Sequence, residues 1–301
     1  MSRRAVAKAN TGALRREGSP VTLLRWGLIG ALAGTLLAVP AFAPAAWLAD
    51  AVGQATGERL LLADARGTLW QGSAVVVLTG GAGSRDASAL PGRLRWSLGL
   101  DGAALVLRAR QACCISDELR LRVVPGFARL RLELLPPAAR SGSNPGSNPG
   151  NNNSNSIGTW PASWLIGLGT PWNTLQPSGT LLISSPGLQL EQVQGRWLFS
   201  GRADFELAEM ASRVSTLDVL GSYRLSISGD AALGGPARVQ LSTSSGALQL
   251  QGSGSLLGTS AGSRLRFTGQ ASAAAGSEAV LANLLNIIGR RQGAVSVISI
   301  G

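Results

Sequence analysis

Cys113 and Cys114 are adjacent, and the chain of 301 residues contains no histidine and no other cysteine. In an oxidising compartment the pair can close a vicinal disulfide that fixes a tight turn. It can equally stay reduced and packed, or bond to another chain. Adjacent cysteines are not a C-x-x-C redox motif, and nothing else completes a metal site. A structural turn is the preferred reading. The missing histidine removes the usual triads, most zinc sites and the commonest general base. Carboxylates are sparse, with Asp117-Glu118 and Asp204/Glu206/Glu209 the closest sets. Whether two of them meet as an acid–base pair depends on the fold. The run Gly80-Gly81-Ala82-Gly83-Ser84 lacks the helix and lysine that a phosphate cradle needs, and Gly252-x-Gly254 precedes no helix, so it reads as turn chemistry. No catalytic, cofactor-binding or metal-ligating residue is therefore assigned, no cofactor is expected, and the chain is read as not an enzyme.

The elements around these residues begin with an apolar stretch. Trp26 to Ala49 carries no charge over 24 positions. A helix over residues 26–43 would be ~27 Å long, close to the hydrocarbon thickness of a bilayer. Pro40 and Pro44 discourage helix at its far end. Residues 1–25 hold Arg3, Arg4, Lys8, Arg15, Arg16 and Arg25 against Glu17, six positive charges less one negative, or +5. Such a tail stays cytoplasmic, which sends the remainder out of the cytoplasm. The rival is a signal peptide cut after Ala41-Phe42-Ala43. The long tail and Pro44 directly after the cut count against it, so an uncleaved anchor is preferred. Gly30-x-x-x-Gly34 offers a helix-pairing face, but the segment is rich in Gly and Ala throughout.

Of the net +11, the other +6 (21 basic, 15 acidic) lies beyond the tail. Its arginines alternate with apolar residues and do not cluster with aromatics, so nucleic-acid binding is set aside. Forty glycines and 14% charged residues suit a turn-rich β protein. Period-two alternation marks 93–98, 119–123 and 128–134 as strands of an antiparallel sheet with one buried face, arginines on the other. Further strands are expected over 74–78, 187–193, 196–201, 203–207, 223–228, 238–243, 247–252, 264–269 and 294–300. A helical turn or crossing loop is expected in 208–220, and a short interfacial helix over 46–54. Val280, Leu281, Leu284, Leu285 and Ile288 form an apolar helical stripe. Ser277-Glu278 starts that helix, Gly289 stops it, and Arg290-Arg291 lie beside its negative end.

The expected organisation is a basic cytoplasmic tail (1–25), a transmembrane helix (26–43), a periplasmic β-rich half (44–137), an Asn/Ser/Pro/Gly linker (138–159) and a second periplasmic β-rich half (160–301). The linker composition cannot offset its own ordering entropy. Pro161-Ala162-Ser163-Trp164-Leu165 echoes Pro44-Ala45-Ala46-Trp47-Leu48, and Gly179-Thr180-Leu181 echoes Gly67-Thr68-Leu69. A weak internal duplication and chance similarity both fit. The fold class is mainly β, with a single N-terminal transmembrane helix and a few short helices.

Four stretches carry a family likeness: Leu284–Gly293, Ser215–Gly221, Gly67–Gly72 and Trp172–Gly179. Together with the single-anchor layout they resemble the bacterial type II secretion system protein N, also called general secretion pathway protein N. The resemblance implies an inner-membrane, single-pass component of the machine that carries folded proteins from the periplasm across the outer membrane. It implies other inner-membrane platform subunits as partners, with the pseudopilus or outer-membrane channel as further contacts. The family offers no catalytic or ligand residue to transfer. The alternative from the residues themselves is a lipid-handling module, because a long one-faced sheet beside a membrane could curl into an apolar groove.

Overall fold

The computed structural model describes residues 20–127, 129–135, 155–193, 195–230, 234–259 and 262–301. The chain divides into two compact units, Met1–Ala43 and Pro44–Gly301. In the first, helix α1 (Pro20–Ala41) starts earlier than the apolar run, with proline at its first position, where a missing N–H costs no helical bond. Trp26, Leu28, Ile29 and Leu32 on it are exposed. Counted over the described residues, no helix is long and apolar enough to cross a membrane.

The second unit opens with helix α2 (Ala45–Ala55) and then builds one antiparallel sheet. Its first strands are β1 (Leu60–Gly67), β2 (Gln71–Thr79), β3 (Ala87–Ala89), β4 (Leu94–Asp101), β5 (Ala104–Arg110), β6 (Leu119–Gly126) and β7 (Arg129–Leu135). Strand β8 (Ser156–Pro161), a 3-10 helix (Ala162–Leu168) and helix α3 (Trp172–Leu175) follow. Next come β9 (Pro177–Val193), β10 (Arg196–Ser212), β11 (Gly221–Gly229), β12 (Ala237–Gly246), β13 (Leu248–Thr259) and β14 (Gly262–Ala273). Helix α4 (Glu278–Ile288), β15 (Arg290–Gln292) and β16 (Val295–Ile300) complete it.

Strands β7 and β9 pair directly, Leu132 opposite Leu190 and Leu134 opposite Leu188, so the sheet runs unbroken from β1 to β15. Two strands are shared along their length. β2 pairs with β4 through residues 71–74 and with β3 through residues 77–79. β9 pairs with β8 through residues 180–184 and with β7 through residues 188–193. The 3-10 helix links the two places: Trp164 Nε1 donates to Ser88 O at 3.0 Å, and a Cβ on Gly167 would lie 2.2 Å from Leu78 O. Val76, Leu90, Cys114, Trp160 and Leu181 form the core there.

The paired motifs of the sequence hold matching positions. Pro44 bridges Thr68, Pro161 pairs with Thr180, and each proline precedes a helix whose first alanine, Ala45 or Ala162, is buried.

Several expectations need correction. Strand β8 begins inside the stretch read as linker, because Ile157 and Trp160 join the core around Leu181; residues 138–154 of that stretch lie outside the described residues. The separate strands at 196–201 and 203–207 are one strand, and β10 continues to Ser212 past a bulge at Glu209 (φ 50°), so the turn or loop expected in 208–220 is confined to 213–220. Gly252 and Gly254 lie within β13 and not in a turn; a Cβ on Gly252 would sit 2.4 Å from the Phe267 ring, so their emptiness makes room for it. Val280 of the expected apolar stripe is exposed. Arg290 and Arg291, directly after the helix and its stop at Gly289, also form β15, opposite Val297 and Ser296. Strand β5 escaped the sequence reading because Leu105-Val106-Leu107 breaks the alternation.

Candidate functional surfaces

The structure gives structural partners to the cysteines and to Glu118, Asp204 and Glu206 among the groups singled out from the sequence. Cys113 and Cys114 are bonded to each other, and Cys114 is buried. Cys114 O accepts the Thr159 N–H at 2.7 Å, and Ile115 bridges Gly158, so the turn after β5 is fastened to β8. A Cβ at Gly158 would come within 2.1 Å of Cys114 O, which is why glycine stands there.

The carboxylates are claimed by arginines. Glu118 pairs with Arg110 at 2.6 Å and Glu206 with Arg224 at 3.1 Å. Asp204 accepts from Arg202 at 2.9 Å and from Ser226 Oγ at 2.6 Å. Burial would raise the Asp204 carboxyl, but those two hydrogen bonds and the arginine charges outweigh it and hold the group below the usual range. Asp64, at positive φ beside the β1 bulge, is lowered chiefly by Arg93 and then by Arg66. The exposed Glu209 stands apart on its bulge. Among the described residues no three His, Cys, Asp or Glu could hold a metal.

What the sheet offers is two unlike faces. One is polar. Register aligns Ser226, Gln240, Ser253, Thr268 and Ser299 in one row, with Arg238, Ser255 and Arg266 in the next. All of these but Ser226 line an open trough that carries no Asp or Glu side chain.

The opposite face is apolar across the whole sheet, because β-strand side chains alternate and the bulges preserve their sense. Beneath α4 it is sealed: Leu281, Leu284 and Leu285 pack on Met210, Tyr223, Leu248 and Ala271. Tyr223 is buried there, its hydroxyl unpartnered among the described residues and its pKa pushed up by desolvation. Ser296 Oγ, also buried, donates to Leu285 O at 2.7 Å.

Toward β4–β9 the same face is open. Leu98, Leu107, Leu121, Leu134 and Leu188 form one row, and Leu100, Leu105, Val123, Leu132, Leu190 and Phe199 the next. The longer row crosses six strands, about 24 Å at the usual strand spacing. Apart from Leu107, which touches the Trp96 cluster, these residues join none of the three core clusters, and Leu100 is exposed. Among the described residues no helix packs in extended contact on β4–β7. The period-two pattern announced this face, but only the tertiary structure shows that part of it stays uncovered.

The family described as Type II secretion system (T2SS), protein N matches residues 58–298. The match spans the sheet from just before β1 almost to the end of β16. No curated relative and no solved structure matches the chain. The chain belongs to the type II secretion system protein N family, whose members are components of a protein-transport machine.

Proposed function

We propose that this secretion-system protein N is a non-enzymatic scaffold of the inner membrane, tethered by the apolar residues 26–43, with its amino terminus cytoplasmic and its sheet in the periplasm. It supports export of folded proteins across the outer membrane by holding other subunits of the inner-membrane platform. The observation that carries this reading is the family match over residues 58–298. The charge-free stretch after the +5 tail supports the tether and its orientation. The arginine-paired carboxylates offer surfaces for binding and no group poised for catalysis. Deleting the chain is expected to trap secreted proteins in the periplasm, and crosslinkers placed on the sheet in intact cells should capture other secretion subunits. Normal release from the deletion strain would sink the scaffold reading.

A second reading has its own support. The leucine rows form an apolar, mostly aliphatic surface on central strands whose backbone groups are already paired, so an added strand gains no hydrogen bonds there. An acyl chain needs none. On this reading the chain handles lipid beside the membrane. Native mass spectrometry of protein extracted from membranes should then retain acyl-bearing species, and a lipid-free spectrum discards it.

A further inference from the structure

Hairpin tips close by short turns, which sheet packing does not compel to be apolar. Three tips here nonetheless carry large apolar side chains in solvent: Leu100 before the β4–β5 turn (73% exposed), Phe127 at the β6–β7 turn (fully exposed) and Leu257 before the β13–β14 turn (48% exposed). The first two tips lie at one end of neighbouring hairpins. Leu100 pairs with Leu105, Leu105 with Val123, and Phe127 follows four residues on. Arg129, next to that turn, pairs with Val193, which pairs with Arg196. The β13–β14 tip reaches the same place, because a Cβ on Gly258 would lie 2.2 Å from Trp197 O.

Arginines accompany the apolar residues. Arg129 and Arg196 flank Val193 on one side of the sheet, and Arg264 stands opposite Leu257. All three are exposed, and none pairs with a described carboxylate. The β1–β2 turn adjoins the β4 tip, since Leu98 N donates to Trp70 O at 2.7 Å. That turn holds Thr68, the partner of Pro44, where the chain enters the sheet unit three residues after α1 ends.

We infer that these three hairpin tips dip into the headgroup layer of a phospholipid bilayer, with Arg129, Arg196 and Arg264 meeting lipid phosphates. A protein partner would need a pocket for each isolated side chain, whereas a fluid interface accepts aromatic and aliphatic residues from separate tips. Arginine forks match phosphate oxygens and favour anionic lipid. The inference rests on the reading of α1 as a membrane tether.

Spin labels on the full chain in vesicles of phosphatidylethanolamine and phosphatidylglycerol test both readings separately. The native cysteines are bonded to each other, so Leu100→Cys, Phe127→Cys and Leu257→Cys can be labelled singly. Ile29→Cys reports on α1, and Ser242→Cys on the solvated face. At the three tips, oxygen collisions should rise and nickel-chelate collisions fall severalfold relative to position 242. Tips as water-accessible as position 242, with the position 29 label in lipid, overturn tip docking and leave the tether standing. Lipid-buried tips with position 29 in water support docking and overturn the tether. All labels in water overturn both.

Discussion

Leu248 on β13 and Leu121 on β6 lie on the same face of one sheet, in strands of the same antiparallel kind. Leu248 is buried under α4, while Leu121 is half-exposed in a row that no helix covers. The difference comes from the residues around them. Beneath α4 the sheet presents Ala271 and Ala273, small enough for the helix to approach, and the helix returns Leu281, Leu284 and Leu285. Across β4–β7 the positions are filled by leucine and valine, and among the described residues no helix packs in extended contact on them. Apolar alternation thus makes a face but does not supply its cover. The leucines of these rows are partly buried by their neighbours, and folding still leaves apolar area along them in water.

The largest effect should separate the two leucines directly. Leu248→Ala should lose about 2–5 kcal/mol of stability, since both transfer and cavity terms act in a sealed core. Leu121→Ala should lose less, about 1–2 kcal/mol, because its partly buried site opens to solvent and leaves no sealed cavity. Urea unfolding of the two variants measures this, and equal losses would break the comparison.

A matching pair of glycines comes next. Gly252→Ala places a Cβ 2.4 Å from Phe267 and should cost about 1–3 kcal/mol by overpacking. Gly99→Ala on β4 meets nothing within 4 Å and should be neutral or slightly stabilising. Melting temperatures that fall equally for both would show the two regions to be packed alike.

Tyr223→Phe sharpens the picture inside the sealed half. It removes a buried hydroxyl without a partner among the described residues, so stability should hold or rise by up to about 1 kcal/mol. A marked loss in calorimetry would reveal a partner for that hydroxyl.

The smallest effect is electrostatic. The folded Asp204 carboxyl sits below its reference value of 3.8, so its contribution is complete above that value and fades as pH falls through the lower folded one. Asp204→Asn should therefore lower stability slightly at neutral pH and flatten the acid limb of the unfolding curve. An unchanged limb would mean that the Arg202 and Ser226 contacts add nothing.

The sequence by itself determined that the chain is mainly β, the alternating strands such as β4, β6 and β7 with their apolar faces, and that α4 is amphipathic, because alternation and helical spacing follow from local backbone geometry; β5 and β8, which lack that alternation, it left unread. It also determined that histidine chemistry is absent, and it carried the family likeness in ordered short motifs. Only the tertiary structure decided that β7 pairs with β9, that Gly252 and Gly254 make room for Phe267, that Cys114 fastens a turn to β8, and that α4 seals one part of a face left open elsewhere. Those outcomes depend on partners far apart in the chain, selected by register, ring closure and the volume left between elements, none of which a short window of residues contains.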